Sequence, residues 1–123
     1  MSKVVKLDPT LYYAYFNRGL AELYLERFEE AIADITSGIG IKSDDPMSYY
    51  YRGYCYHSTD EFEKAIEDYT RAIELNYRIA YIYLRRALCY KALQELEKAR
   101  QDLQEAINRG INESEIPCDL RDL

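Results

Sequence analysis

The sequence is poor in the residues on which many enzymes and metal sites depend: it has no tryptophan, one histidine and three cysteines. The cysteines, Cys55, Cys89 and Cys118, are too few and too unevenly spaced for the disulfide framework of a small secreted domain. They form no Cys-x-x-Cys pair, so the sequence offers no zinc-binding motif. This pattern favours a reducing compartment, and we expect a cytoplasmic location.

Long apolar runs and a surplus of positive charge are also missing. No stretch approaches the roughly 20 apolar residues of a membrane-spanning helix, and the N-terminus lacks the apolar core of a signal peptide. The 123 residues carry a net charge of −6, with a pI near 4.8 and no concentrated basic stripe. We therefore expect neither a membrane nor a nucleic acid as partner, and the length predicts one domain.

The sequence does contain a repeat with a period of 34 residues. Three segments align without a gap: AYFNRGLAELYLERFEEAIADITSGI, SYYYRGYCYHSTDEFEKAIEDYTRAI and IYLRRALCYKALQELEKARQDLQEAI. The register is too regular to be due to chance. The coinciding positions include Tyr15, Tyr49 and Tyr83; Arg18, Arg52 and Arg86; Gly19, Gly53 and Ala87; Phe28, Phe62 and Leu96; Ala31, Ala65 and Ala99; and Gly38, Ala72 and Ala106.

Each repeat predicts two helices joined by a short polar turn. Apolar residues recur three and four positions apart on both sides of polar stretches such as residues 58–61. Small residues at the positions of Gly53 and Ala65 allow the two helices to approach closely, which predicts a helical hairpin. Asp45 followed by Pro46 predicts a helix start, because aspartate caps helices well and proline is favoured in the first turn.

This pattern of aromatic and small residues resembles the tetratricopeptide repeat family, whose period is also 34. The resemblance implies an all-α fold, a right-handed superhelical solenoid of three helix-turn-helix units with a partial leading helix and a short capping segment. It places the three tandem repeats at residues 12–45, 46–79 and 80–113. Residues 1–11 are similar to the end of a preceding repeat helix, and we expect residues 114–123 to form a C-terminal capping tail.

Three positions depart from the family pattern. Ser43 and Tyr77 stand where the family has its closing proline, and Glu22 stands where the later repeats have an aromatic residue. Gly38 and Gly40 weaken the second helix of the first repeat by roughly 1 kcal/mol each relative to alanine. We therefore expect this helix to fray or to end early.

Tyrosine is abundant, with 14 residues, and the resemblance assigns many of them to a concave groove. Tyr50 and Tyr54 are four residues apart on one helix face, with Tyr51 beside them, and the family architecture turns this face toward the groove. The groove is thus expected to be aromatic and to become basic at its C-terminal end. The residues expected to line it are Tyr13, Phe16, Asn17, Leu20, Tyr24, Tyr50, Tyr51, Tyr54, Tyr81, Arg85 and Lys91.

Exposed aromatic surface on an acidic protein usually marks a binding site. We therefore predict a non-catalytic protein-protein interaction module that binds a peptide or a partner helix in this groove, acting as a scaffold or adaptor and existing as a monomer or weak homodimer. Arg85 and Lys91 favour a ligand with an acidic group. Two alternatives remain open: the tyrosines only stabilise the superhelix by stacking on one another, or the chain is a structural spacer or self-associating module of a larger assembly.

Some members of the family hold the C-terminal carboxylate of heat-shock chaperones in a clamp of lysines, asparagines and an arginine. By resemblance the five clamp positions fall on Phe16, Leu20, Tyr51, Tyr81 and Arg85, of which Arg85 alone matches. Without the other donors a carboxylate loses most of its charge-assisted hydrogen bonds. We therefore predict that the chain is not a chaperone carboxylate clamp.

No arrangement of residues predicts an enzyme, a cofactor or a metal site. His57 lies two residues from Cys55, so on a helix the two side chains point to nearly opposite faces and cannot form a nucleophile–base pair. We expect Cys55 and Cys89 to be small buried hydrophobic residues and His57 to lie on the surface. The acidic residues of the second helices are expected to form a solvated convex face. They are Glu29, Glu30, Asp34, Glu63, Glu67 and Asp68.

Overall fold

Six α-helices make up the chain in a computed structural model that describes residues 9–123. They are α1 (Pro9–Tyr24), α2 (Phe28–Ile41), α3 (Pro46–Ser58), α4 (Phe62–Glu74), α5 (Ala80–Ala92) and α6 (Leu96–Asn108), followed by two 3₁₀ turns (Glu113–Glu115 and Cys118–Leu120). No strand occurs in these residues. The helices pair as α1 with α2, α3 with α4 and α5 with α6, and the three hairpins stack in chain order. The predicted all-α solenoid of three repeats is confirmed.

The first helix begins earlier than the repeat register suggests. α3 and α5 begin at positions equivalent to Tyr12, whereas α1 begins at Pro9. Proline suits the first turn of a helix, where its missing N–H has no partner to lose. The expected end of a preceding helix falls mainly on residues 1–8, which lie outside the described residues.

Each hairpin turns at an equivalent residue with left-handed backbone. Glu26, Asp60 and Gln94 have φ angles of 58°, 61° and 61°. The next residue donates its N–H back to the preceding helix, as Glu61 does to the carbonyl of Tyr56 at 2.8 Å. This bond satisfies a carbonyl at the helix end, which a left-handed residue makes possible.

The start of α3 is capped as predicted and is held in place by α1. The Asp45 carboxylate accepts a hydrogen bond from the Met47 N–H at 3.0 Å, and Pro46 lies in the first turn. The Tyr12 hydroxyl donates to Asp45 at 2.6 Å and lies 2.7 Å from the Ser48 hydroxyl oxygen. The first and second repeats are therefore joined by a buried polar contact as well as by apolar packing.

Small residues set the spacing between the helices of each hairpin. A Cβ atom at Gly19 would lie 2.8 Å from Cγ1 of Ile35, and one at Gly53 would lie 3.0 Å from the ring of Tyr69. A larger residue would force these helices apart, as the sequence pattern predicts. The alanines on the facing helices are fully buried: Ala31, Ala65 and Ala99.

The expectation that α2 ends early is wrong. α2 has 14 residues, whereas α4 and α6 have 13 each. Gly38 is buried against α1, where a Cβ would lie 3.5 Å from the Tyr12 ring. Tertiary packing thus outweighs a helix-propensity cost of about 1 kcal/mol per glycine.

Two acidic residues expected on a solvated convex face are instead buried between helices. Asp34 and Asp68 are 7% and 5% exposed. Arg18 donates two hydrogen bonds to Asp34 at 2.7 and 2.6 Å, and Arg52 donates two to Asp68 at 2.7 and 2.8 Å. The third repeat has the same pair, formed by Arg86 and Asp102. The repeated arginine is therefore a structural residue that joins the two helices of its hairpin.

The C-terminal segment, residues 112–123, packs on α5. Leu120 is 1% exposed within the larger apolar core cluster, and Ile116 and Leu123 pack against that cluster while half-buried. Arg121 donates to the Ile116 carbonyl at 2.9 Å, which fixes the turn of the segment. The segment therefore covers apolar surface at the end of the third repeat.

Candidate functional site

The groove expected from the sequence is the surface along the three first helices, α1, α3 and α5, and the residues assigned to it differ in exposure. Four are exposed: Tyr13, Asn17, Tyr24 and Tyr81. Six are half-buried: Phe16, Leu20, Tyr51, Tyr54, Arg85 and Lys91. Tyr50 is buried, at 9% exposure. The groove residues therefore include both accessible side chains and one member of the core.

The aromatic rings of the groove contact one another across helices. Phe16 of α1 meets Tyr51 of α3 edge to face at 6.0 Å between ring centroids, and Tyr54 meets Phe28 of α2 at 6.4 Å. Tyr50 and Tyr51 are 5.3 Å apart in the same kind of arrangement. These contacts fix the rings and leave a wall of ordered aromatic surface.

A cavity of about 300 Å³ opens in the middle of this wall. It is lined by Leu23, Tyr24, Glu26, Phe28, Tyr50, Tyr51, Tyr54 and Arg85. Leu23, Glu26 and Phe28 did not figure among the predicted groove residues, because they lie at the end of α1, in the turn and at the start of α2. They lie around a polar break that is followed by the repeat's aromatic residue. This pattern is the sequence signal that could have added them to the predicted site.

Arg85 is one of the residues that line this cavity. Its Nε–H donates to the Tyr50 hydroxyl at 3.1 Å, and its guanidinium carbon lies 4.8 Å from the centre of the Tyr54 ring. Within residues 9–123 no carboxylate lies within ion-pairing distance of this guanidinium. Arg85 is therefore a fixed, half-buried cation whose charge is not neutralised by a neighbouring acid.

A second cavity, of about 420 Å³, is also lined by Arg85. Its lining includes Tyr54, His57, Asp60 and Asp119. His57 is half-buried rather than on the surface as expected, and burial followed by the charge of Arg85 lowers its pKa. The histidine is thus mainly neutral near pH 7, and Arg85 is the cation shared by both cavities.

The C-terminal end of the groove is not the free basic surface that the sequence predicts. Lys91 forms an ion pair with Asp122 at 2.7 Å and donates to the backbone carbonyl of Asp119. The Tyr81 hydroxyl donates to the carboxylate of Glu115. The C-terminal segment therefore already neutralises Lys91, because its acidic residues fold back along α5.

The two cysteines considered as nucleophiles are unsuited to that role. Cys55 and Cys89 are both fully buried. Burial raises the pKa of each thiol to about 12. Since the thiolate is the reactive form, both residues behave as the buried hydrophobic residues that the sequence predicts.

Metal binding and membrane insertion are two further possibilities for residues 9–123. No group of three or more His, Cys, Asp or Glu side chains in this part of the chain is placed to hold a metal ion. None of its helices combines the length and the apolar character needed to cross a membrane.

Family sequence models match most of the chain. Two models described as tetratricopeptide repeat match it, one over residues 46–76 and the other over residues 12–45 and 80–109. Comparison with curated protein sequences gave no match.

Solved structures similar to this chain include three domains of the same kind. The first TPR of Spaghetti (RPAP3), bound to the HSP90 peptide SRMEEVD, is 25% identical with a TM-score of 0.85, and the match covers 96% of this chain and 94% of that one. The first TPR domain of human RPAP3 is 26% identical with a TM-score of 0.81, covering 94% and 91%. The second TPR domain of human RPAP3, in complex with the HSP70 peptide SGPTIEEVD, is 22% identical with a TM-score of 0.82, covering 92% and 94%.

These structures correct one prediction. The conclusion that the chain is not a chaperone carboxylate clamp is wrong, because similar domains hold chaperone peptides that end in EEVD. That conclusion rested on four positions that lack the lysine or asparagine of the clamp, Phe16, Leu20, Tyr51 and Tyr81. It gave no weight to apolar contacts, which also contribute to peptide affinity.

Proposed function

We propose, since the chain belongs to the tetratricopeptide repeat family, that it is a protein-interaction module whose groove binds an acidic peptide segment of a partner protein. Six helices in three repeats provide a rigid support on which such a groove can be held. In this proposal the peptide lies across α1, α3 and α5 and contacts the cavity at the centre.

The observation that carries the proposal is the unpaired cation of Arg85. Burying a guanidinium without a carboxylate is unfavourable unless a ligand supplies the negative charge. Tyr50 and Tyr54 fix the guanidinium in position before a ligand arrives, so little side-chain entropy is lost on binding. The exposed edge of this group is suited to a carboxylate, which guanidinium binds through parallel hydrogen bonds.

The aromatic cavity beside Arg85 suits an apolar side chain of the same peptide. Phe28, Tyr51 and Tyr54 provide ring faces and edges, and the volume of about 300 Å³ accommodates a side chain of moderate size. The peptide class that fits is therefore an acidic residue next to an aliphatic or aromatic one. Peptides bound by similar domains, SRMEEVD and SGPTIEEVD, combine these two features.

A titration of the whole chain with the peptide SRMEEVD tests the proposal directly. Isothermal calorimetry is expected to detect binding, and Arg85→Met is expected to weaken it by about ten- to a hundredfold, because charge-assisted hydrogen bonds contribute roughly 1.5–3 kcal/mol. The matched control is Arg78→Met, since Arg78 is exposed and does not line either cavity beside Arg85. Circular dichroism confirms that each variant is folded.

Two results would overturn parts of the proposal in different ways. Unchanged binding by the Arg85→Met variant would remove Arg85 from the site while leaving an acidic-peptide function in place. Absence of binding to SRMEEVD and to other acidic sequences in a displayed peptide library would reject the acidic ligand class itself.

A further inference from the structure

The C-terminal segment, residues 112–123, has the composition of the ligand class that the groove is proposed to bind. That class combines an acidic residue with a neighbouring aliphatic or aromatic one. Three acidic residues of the segment are each followed directly by an aliphatic residue: Glu115 by Ile116, Asp119 by Leu120, and Asp122 by Leu123. The segment thus offers the same chemical groups as the proposed ligand.

Two of these acidic side chains contact residues that the sequence assigns to the groove. The Lys91 ammonium group lies 2.7 Å from the carboxylate of Asp122. The Tyr81 hydroxyl donates to the carboxylate of Glu115. The hydrogen bond from Lys91 lowers the pKa of Asp122, so this carboxylate is ionised near neutral pH. Lys91 and Tyr81 therefore already hold the acidic groups that a ligand is expected to bring.

The segment also borders the second cavity that Arg85 lines. Asp119 lines this cavity, and it lines a smaller one of about 240 Å³ together with Leu88 and Lys91. Asp119 thus lies between the free cation of the groove and the neutralised one. A peptide that extended from Arg85 to Lys91 would therefore meet the segment.

The contacts of the segment differ in how firmly they hold it. Leu120 is buried in the larger apolar core cluster. The side chain of Asp122, in contrast, is 76% exposed, although that of its partner Lys91 is 27% exposed. An ion pair with an exposed partner contributes little to stability. A ligand carboxylate can therefore replace Asp122 at Lys91 while Leu120 stays in the core.

We propose, on the basis of the function proposed above, that the C-terminal segment is an internal ligand of the groove and competes with the partner's acidic peptide for Lys91 and Tyr81. A bound peptide then replaces the carboxylates of Asp122 and Glu115. This competition lowers the affinity of the groove for a peptide whose acidic group reaches Lys91, and the segment thereby regulates the site.

Calorimetric titration of the whole chain with the peptide SRMEEVD tests this competition. Asp122→Asn removes the carboxylate that holds Lys91. The matched control is Glu113→Gln, which removes one negative charge from the same segment. Glu113 is exposed, and its carboxylate forms no ion pair within residues 9–123. A third variant combines Asp122→Asn with Lys91→Met, so that no cation is freed.

We expect Asp122→Asn to bind the peptide roughly three- to tenfold more tightly than the original chain, because the freed ammonium group can hold a ligand carboxylate. Glu113→Gln is expected to leave the affinity nearly unchanged, and the combined variant is expected to lose the increase.

Three results would overturn the competition while leaving the proposed function in place, provided that the original chain binds the peptide. They are an unchanged affinity in Asp122→Asn, an equal increase in Glu113→Gln, which would report net charge alone, and an increase that persists in the combined variant. Absence of binding by the original chain and by all three variants would instead reject the proposed function, and this inference with it.

Discussion

At the scale of single residues, Tyr50 has two functions that substitution can separate. Its ring packs against Tyr51, Tyr69 and Tyr77 at centroid distances of 5.3, 6.0 and 5.4 Å, while its hydroxyl accepts a hydrogen bond from Arg85. Tyr50→Ala is expected to lower the free energy of unfolding by roughly 3 kcal/mol or more, as for other buried aromatic truncations. Tyr50→Phe keeps the ring and is expected to cost about 1 kcal/mol or less.

Urea denaturation of the two Tyr50 variants, followed by circular dichroism, checks this prediction. Equal midpoints for Tyr50→Ala and the original chain would show that the ring is not part of the core. Equal losses of unfolding free energy in both variants would assign the stabilisation to the hydroxyl instead.

Glu22 is expected to make stability depend on pH. It stands where the later repeats have a tyrosine, and one of its carboxylate oxygens is buried without a hydrogen-bond partner in the described residues. A hydrogen bond with Asp34, burial and the charge of Asp34 raise the pKa of Glu22 from 4.5 to about 7. The folded state holds this proton more tightly than the unfolded chain does. The contribution of Glu22 to stability is therefore full below pH 4.5 and is lost as the pH rises through about 7.

Glu22→Gln mimics the protonated form and is therefore expected to melt at the same temperature as the original chain near pH 4.5 and at a higher temperature near pH 8. Arg18 lowers the pKa of Asp34, which stays ionised across this interval. Thermal melts at several pH values provide the measurement, with Glu67→Gln as an exposed control on α4. A constant difference between Glu22→Gln and the original chain at all pH values would contradict the assignment.

At the scale of helices, substitution by alanine is expected to have opposite effects at two glycines. A Cβ at Gly53 would lie 3.0 Å from the Tyr69 ring and 3.2 Å from Cβ of Asp68, whereas a Cβ at Gly40 has no neighbour within 4 Å. Gly53→Ala is expected to destabilise the fold by about 1–3 kcal/mol through overpacking. Gly40→Ala is expected to stabilise α2 by up to about 1 kcal/mol through helix propensity.

Chemical denaturation of these two alanine variants measures both effects on one scale. Stabilisation by Gly53→Ala would mean that Tyr69 moves aside without loss and that helix spacing is not set by this glycine. Destabilisation by Gly40→Ala would show an unrecognised contact at the end of α2.

The helices can be predicted well because the residues that pack between them recur with a fixed spacing. Gly53 and Ala65 recur with the period of the repeat, and small residues at a helix crossing have few other roles. The turns are less visible, since their left-handed residues are Glu26, Asp60 and Gln94, which do not share the glycine that marks such turns. The Arg52–Asp68 pair was also missed, because its partners lie on different helices and no local spacing connects them.

At the scale of the whole molecule, the C-terminal segment covers apolar surface at the end of the third repeat. Leu120 is the apolar anchor of this segment at 1% exposure. Leu120→Ala is expected to lower the free energy of unfolding by roughly 2–4 kcal/mol, as for other buried leucines. The control is Leu25→Ala, whose side chain is 64% exposed and whose loss is expected to change stability by about 0.5 kcal/mol or less.

Calorimetric melting of the two leucine variants checks this expectation. If Leu120→Ala melts at the same temperature as the original chain, the segment is only loosely attached and the third repeat is stable without it. If Leu25→Ala is as destabilising as Leu120→Ala, the exposed turn contributes to the fold in a way that its surface position does not suggest.

The site could be predicted from the sequence only in part, because its charge depends on the assembled molecule. The repeat register places the aromatic residues on the first helices, and the resemblance to the family assigned them and Arg85 to the expected groove. The pairing of Lys91 with Asp122 does not follow from that register, since a segment outside the repeat supplies the acid. The same holds for the central cavity, to which Leu23 contributes from the end of α1 and Phe28 from the start of α2.

The aromatic wall around the central cavity also has an optical consequence. The chain has 14 tyrosines and no tryptophan, and Tyr24, Tyr50, Tyr51 and Tyr54 all line that cavity. A peptide that carries a single tryptophan would therefore introduce the only indole of the complex. Light absorbed by these tyrosines would pass to a tryptophan seated beside them and emerge at its longer wavelength, so the groove itself would report, without any attached dye, when a ligand enters it.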